Sequence, residues 1–368
     1  MDSVTQFTLG AVVGVAVMGR RVGLRKAAIA GGLLATLPDL DVFWPNDDPI
    51  DRFVTHRSAT HSLLVHSLIT PVLGEGLMRL VRGLRDNRRL AYLAVFLCLT
   101  THALLDALTI YGTQLFWPVW KQPVGLGSVF IIDPLYTLPL LVITVWALVQ
   151  GNWSTRFGRG LVAALLISTG YLGWGIAAQA WVLDQGNREL ARLGIVADRV
   201  IATPVPFSSL FWRIIATDAR HDYSVYVPLL GGRKALTTFR NQRLPAELVC
   251  WDRKMRDMDG PLKTLADFSD GFYRLDREQN RIRYSDLRMG LSHTYAFQFT
   301  LADQNGPAIT LVTPERYPAE RNRPGDMAWL WAGIQGQKMI RPSEQQNLVE
   351  DLQTVAATGA PPAQGGCG

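Results

Sequence analysis

The chain has 368 residues, 48% of them hydrophobic and 18% charged, with a formal net charge of +6. That length predicts two or more structural units rather than one. Its three cysteines, Cys98, Cys250 and Cys367, make neither an even framework nor a CxxC pair and say little about redox compartment.

Residues 1–182 hold most of the long apolar runs. The runs at 4–18 and 27–38 are short, and fit short spans, tilted helices or re-entrant segments. Those at 60–78, 90–110, 130–149 and 160–182 each approach the roughly 20 residues a helix needs to cross a bilayer. The first residues, MDSVTQ, are acidic, and the basic cluster of Arg20, Arg21, Arg25 and Lys26 follows the first run, the reverse of a cleavable signal peptide. The expected fold is an α-helical membrane bundle of about six apolar helices, two of them short, followed by a soluble domain of mainly β or α+β class.

The links between the runs alternate in charge. Arg20, Arg21, Arg25 and Lys26, then Arg79, Arg82, Arg85, Arg88 and Arg89, then Arg156 and Arg159 mark one side of the bundle. The other side carries Asp39, Asp41, Asp47, Asp48 and Asp51, with Arg52, Arg57 and Lys121 its only basic residues. The positive-inside rule puts the arginine-rich links in the cytoplasm, and six crossings then put both termini and the soluble domain on the outer face. The expected location is a bacterial inner membrane, multi-pass, with the soluble domain periplasmic. This distribution explains the basic excess as a topology signal. Nucleic acid is not expected as a partner, because no basic–aromatic interleaving accompanies the arginines.

The polar residues of the apolar half collect at the acidic side. They are Asp2, Asp39 and Asp41 in LPDLDV, His56 and His61 in HRSATHS, His102 and Asp106 in THALLDALTIYGT, and Asp133 in FIIDPLY. Ionisable groups inside membrane helices are costly and mark function by default. His102 and Asp106 are four apart, so a helix puts them on one face, where imidazole and carboxylate suit a divalent cation such as zinc. Asp39 and Asp41 follow Pro38 and repel each other unless a cation intervenes or one is protonated. His56 and His61 converge only if a helix begins between them, with Ser58 or Thr60 as its cap. His66 is expected to turn away, and Asp133 before Pro134 reads equally well as a helix cap.

In order, MDSVTQFTLGA, PDLD, HRSATHS, the His102–Asp106 pair with TIYGTQL, and IIDPLY resemble the YdjM-type family of membrane-bound metal-dependent hydrolases over residues 1 to about 182. In its His/Asp pattern that family is similar to the zinc-dependent phospholipase C and single-strand nuclease superfamily. The resemblance implies a hydrolase site on His56, His61, His102 and Asp106, with Asp39, Asp41 and Asp2 as further ligands or acid–base groups. Many relatives read D-x-x-T-H at the start; here the sixth residue is Gln6, which is left out of the ligand set. The expected metal ligands are then Asp39, His56, His61, His102 and Asp106, holding one or two divalent ions, zinc by preference. Asp41 or Asp2 is the candidate proton acceptor, and Arg57 would hold a phosphate oxygen or pair with an aspartate. Tyr111 and Thr113 would line the rim and touch substrate. A phospholipid or other lipid-linked phosphoester is the expected substrate, since the site faces a membrane boundary.

From residue 183 the pattern changes. DQGNRELARLGI reads as a short amphipathic continuation of the last apolar run. RVIATPVPF, FWRIIATD, DYSVYVPLL, RIRYSDLR and TYAFQFTL alternate as strands, and LPAELVCWDRKMRDMDGPLKTLADFSDG reads as helical. The expected divisions are 1–182 for the helical membrane domain, 183–342 for the soluble domain and 343–368 for a mostly disordered tail. No motif assigns the soluble domain a partner. The alternative to an enzyme is a membrane scaffold or regulator in which the metal is structural, its coordination closed rather than open.

Overall fold

The computed structural model describes residues 1–306, 308–318 and 323–350. They divide into two units. Residues 1–45, 55–177 and 206–208 form one; 46–54, 178–205 and the described residues from 209 onward form the other. The expected division at 182 falls inside an unbroken helix, and the division observed lies between 177 and 178.

The first unit is helical. Its helices are α1 (Ser3–Val22) and α2 (Leu24–Thr36), then, after the short helix α3 (Pro49–Thr55), α4 (Leu63–Leu80), α5 (Arg88–Ala107), α6 (Pro134–Gln150) and the start of α7 (Thr155–Arg192). Four of these, α1, α4, α5 and α7, are long and apolar enough to cross a membrane. The first run is longer than expected, because α1 extends to 20 residues through Arg20 and Arg21. The run at 130–149 is shorter. Asp133 caps α6 and Pro134 opens it, so the preceding residues stay non-helical and α6 has 17 residues.

The α1–α2 contact holds the helix that leads to Asp39, and α2 ends at Thr36 because Pro38 follows. Gly10 and Gly14 of α1 face Gly31 of α2, and a Cβ on Gly14 would lie 2.6 Å from the Ala27 carbonyl oxygen and 2.8 Å from the Gly31 Cα. Only glycine lets the two backbones come so close, as small residues do in membrane helix pairs. The fully buried Ala11, Val12, Met18, Ala27, Ala28 and Ala35 fill the rest of this seam, and Ala91, Ala94, Val95 and Cys98 of α5 belong to the same core. At the arginine-rich end, Arg21 donates to the Gly83 carbonyl at 2.9 Å, Arg25 donates to the Val149 carbonyl at 2.7 Å, and Arg20 lies over the Trp153 ring. These arginines tie the links to one another as well as marking a side.

The second unit is rich in antiparallel sheet. The strands are β1 (Arg199–Pro204), β2 (Phe211–Thr217), β3 (His221–Pro228) and β4 (Thr237–Gln242), followed by α8 (Val249–Asp257) and α9 (Pro261–Phe268). Then come β5 (Tyr273–Glu278), β6 (Arg281–Asp286), β7 (Gly290–Leu291), β8 (Thr294–Tyr295), β9 (Gln298–Asn305), β10 (Ala308–Arg316), α10 (Asp326–Ile334) and β11 (Leu348–Val349). One sheet runs β1-β2-β3-β4-β11, a second β10-β9-β6-β5, and β7 pairs with β8. The expected helical stretch splits into α8 and α9 at Gly260–Pro261. DQGNRELARLGI continues the last apolar run as expected, since α7 runs through to Arg192. The first residues of the expected tail are structured: Pro342–Asn347 make a 3-10 turn, and Leu348 and Val349 pair with Phe239 and Thr238. Residues 351–368 of that tail lie outside the described residues.

Residues 46–54 belong to this second unit although the chain on both sides belongs to the first. Ile50 and Phe53 of α3 are buried. The Phe53 ring sits 4.7 Å from that of Phe268 and 4.5 Å from that of Phe297.

Candidate metal centre

Three local structures deliver the site. After α2 the chain turns through a 3-10 helix, Pro38–Phe43, which carries Asp39 and Asp41. A second 3-10 turn, Ala59–His61, ends in His61, and Ser62 rather than Ser58 or Thr60 then caps α4. The last turns of α5 carry His102 and Asp106, both fully buried and one turn apart as the spacing predicts.

Four donor atoms converge. His61 Nε2 and His102 Nε2 are 3.0 Å apart. Each lies 3.3 Å from Asp106 Oδ2 and 3.5 Å from Asp39 Oδ1. All four lie within 4.8 Å of one another. Ligands at zinc-type bond lengths on a tetrahedron stand about 3.3 Å apart, so these spacings suit a small divalent ion. Asp106 Oδ2 is buried and has no hydrogen-bond partner. A carboxylate oxygen facing two imidazole nitrogens in that state has the chemistry of a cation ligand, so the residues fit a metal.

The surroundings balance the charge. Asp106 Oδ1 faces the Met1 amino group, accepts from Gln6 Nε2 at 3.1 Å, and lies 3.3 Å from Arg57 Nη2. Three donors on one oxygen leave the other turned to the histidines. Burial alone would raise the Asp39 carboxyl, but hydrogen bonds from His102 and His61 more than offset it and hold it well below the usual carboxylate range. Burial likewise opposes ionisation of Asp41, and its contact with His56 outweighs that. At Met1, burial and the neighbouring Arg57 lower the amino group despite Asp106.

The expected ligands divide. Asp39, His61, His102 and Asp106 come together, whereas His56 stands beside them with its Nδ1 2.8 Å from Asp41 Oδ1. Its ring centre is 6.1 Å from that of His61, and its side chain is 27% exposed. Asp41 also accepts from the Arg57 backbone N–H and from Thr60 Oγ1. Asp2 does not reach the cluster: its carboxylate caps α1, accepting from the Val4 and Thr5 N–H groups and from the Thr5 hydroxyl. Arg57 takes the second of its two expected roles. It is buried, paired with Asp106, donates to Thr109 Oγ1 and lies over the Tyr111 ring. Tyr111 and Thr113 are buried rather than set on an exposed rim. The loop after α5 folds back on itself, with Thr113 pairing to Val124 and the Leu126 N–H bonding to the Ala107 carbonyl.

His66 is not among the four converging residues, and its Nε2 lies 2.8 Å from the Thr60 carbonyl oxygen. Asp133 acts as the cap of α6 and accepts from the Tyr171 hydroxyl at 2.7 Å, and burial raises its carboxyl. Sequence reasoning missed Gln6, Thr60 and Thr109. For Gln6 a signal existed, since the relatives' pattern marks position 6 and the side chain there bonds Asp106.

Apolar helices of spanning length carrying a buried His/Asp cluster at one end define a membrane protein with a metal-site candidate. Residues 1–182 match the family described as YdjM inner membrane protein. The chain is also similar to YfhP of Bacillus subtilis (strain 168), described as uncharacterized, at 26% identity over 312 residues, 81% of this chain and 89% of the relative. No solved structure matches.

Proposed function

We propose that the protein is a membrane-bound metal-dependent hydrolase acting on a phospholipid or another lipid-linked phosphoester. The convergence of Asp39, His61, His102 and Asp106 carries the reading. Zinc bound by these four residues would supply a Lewis acid for an ester or phosphoryl oxygen and bring the pKa of a water to about 7. The protein's own groups have separable tasks. Asp106 anchors the cluster from the buried side, with its charge balanced by Arg57. Asp39, whose side chain is 21% exposed, is the ligand nearest solvent. The His56–Asp41 pair borders the same open side, where an imidazole oriented by a carboxylate can hold or pass a proton.

The arginine-rich links support placing that end of the bundle in the cytoplasm and the metal-site end on the outer face of an inner membrane. Six crossings need α2 and α6 to span as well, as short or tilted helices. The test is hydrolysis of liposomal phosphatidylglycerol and phosphatidylethanolamine by the purified full chain loaded with zinc, compared with His102→Ala. Release of phosphate or diacylglycerol that depends on His102 supports the reading, and zinc uptake without turnover of either lipid counts against these substrates.

One observation favours a second reading. Four protein donors complete a tetrahedral shell, and three of them are fully buried, as in structural zinc sites. In that case the ion ties α2, α4 and α5 together. The visible spectrum of the cobalt-substituted protein separates the two: a closed site leaves it unchanged on adding inorganic phosphate or azide, whereas an open one responds.

A further inference from the structure

Thr60 has a hydroxyl with one hydrogen and two polar neighbours. Its Oγ1 lies 3.0 Å from Asp41 Oδ2 and 3.0 Å from His61 Nδ1. An ionised carboxylate can only accept, so the hydroxyl hydrogen goes to Asp41. The contact with His61 must then run the other way, with Nδ1–H donating to the threonine oxygen. A neutral imidazole carries a single N–H, so His61 Nε2 keeps its lone pair. That nitrogen is the one that faces His102, Asp39 and Asp106.

We infer that Thr60, fixed by Asp41, is a positioning residue that sets the His61 tautomer and ring orientation for metal binding. The inference rests on the metal reading above. Asp41 is itself held firmly: His56 Nδ1 at 2.8 Å and the Arg57 N–H at 3.1 Å bind it besides Thr60. His61 is fully buried, so solvent offers its Nδ1 no alternative acceptor. His102 has no comparable support, since its Nδ1 is buried without a hydrogen-bond partner. The two aspartates of PDLD thereby acquire different tasks. Asp39 faces the ion, and Asp41, two residues on, supports the histidine from behind.

The experiment uses the full chain in detergent micelles, stripped of metal, with zinc affinity read by competition with a chelator. Partners that orient a ligating histidine are worth about 10–100-fold in metal affinity, so Thr60→Val is expected to weaken zinc by that factor. Thr60→Ser keeps the hydroxyl and is expected to bind as the parent does. Thr60→Val binding zinc as tightly as the parent overturns the inference, and so does equal weakening in both variants, which would mean packing alone. Should Thr60→Val fail to fold, histidine 15N spectra of the parent decide: a protonated Nδ1 on His61 is expected, and a protonated Nε2 overturns the assignment. A parent chain that takes up no zinc overturns the metal reading and this inference together. Zinc uptake with an unaffected Thr60→Val overturns this inference alone.

Discussion

Asp106 divides its two oxygens between two environments, Oδ1 among the Met1 amine, Gln6 and Arg57, and Oδ2 toward the paired histidines. Removing the carboxylate therefore has two consequences. Asp106→Ala is expected to abolish zinc binding and also to leave Arg57 buried without its partner, a change that costs about 3–5 kcal/mol. Asp106→Asn keeps the shape and a hydrogen-bonding side chain. It is expected to lose zinc with a smaller fall in melting temperature, which zinc titration and thermal melts on both variants would check. His56 provides the contrast. Because it bonds Asp41 and stands outside the four donors, His56→Ala should keep the zinc stoichiometry of the parent, whereas His61→Ala and His102→Ala should not. Elemental analysis of the purified proteins measures this directly. At this scale four of the five ligands expected from the sequence, Asp39, His61, His102 and Asp106, converge. Sequence reading set Asp39 apart from Asp41 as the expected ligand but grouped His56 with His61, because a 3-10 turn and a three-residue turn decide which side chain faces inward. Neither leaves a periodicity to read.

Among the elements, the α1–α2 seam carries the sharpest steric constraint on the site. Gly31→Val would push a branched side chain into the α1 backbone, an overpacking that costs about 1–3 kcal/mol. Since α2 leads directly into Asp39, the same change is expected to weaken zinc binding from a distance, as a melt and a zinc titration on one sample would show. In the sheet unit, Asp218 closes the β2–β3 hairpin. It accepts from the Arg220 N–H at 2.7 Å, the His221 N–H at 2.6 Å and the Tyr223 hydroxyl at 2.8 Å. Burial opposes ionisation of its carboxyl, but the His221 side chain and these donors outweigh burial and lower it below its ordinary value. A carboxyl depressed in the folded state stabilises fully above the unfolded pKa of about 3.9 and loses that contribution as pH falls below it. Asp218→Asn should therefore destabilise the chain at pH 7 and narrow its loss of stability between pH 7 and pH 3, read by melts at both. The helices of the first unit were legible from their apolar runs because length is a direct signal. The strands were only partly so. FWRIIAT gave β2, but AITLVTPER in β10 was passed over, because an edge strand exposed along most of its length has no buried face to impose alternation.

Across the whole molecule, the segment 46–54 lies in sequence between the aspartates of PDLD and the histidines of HRSATHS, yet it folds with the sheet unit. The family match ends at residue 182, which invites treating residues 1–182 as a separable module. That fragment would carry Ile50 and Phe53 without Phe268, Phe297 and Phe299, the rings that Phe53 meets in the full chain. Such a fragment is expected to aggregate more readily and to digest rapidly within 46–54, whereas the same peptide bonds in the full chain resist protease. Limited proteolysis followed by mass spectrometry would compare the two. Evolutionary modules and folding modules thus part company here. A helical segment that can be recognised by itself has a stretch of its own chain on loan to its neighbour, so trimming the protein to its recognisable half would free the one loop that joins both halves of the metal site.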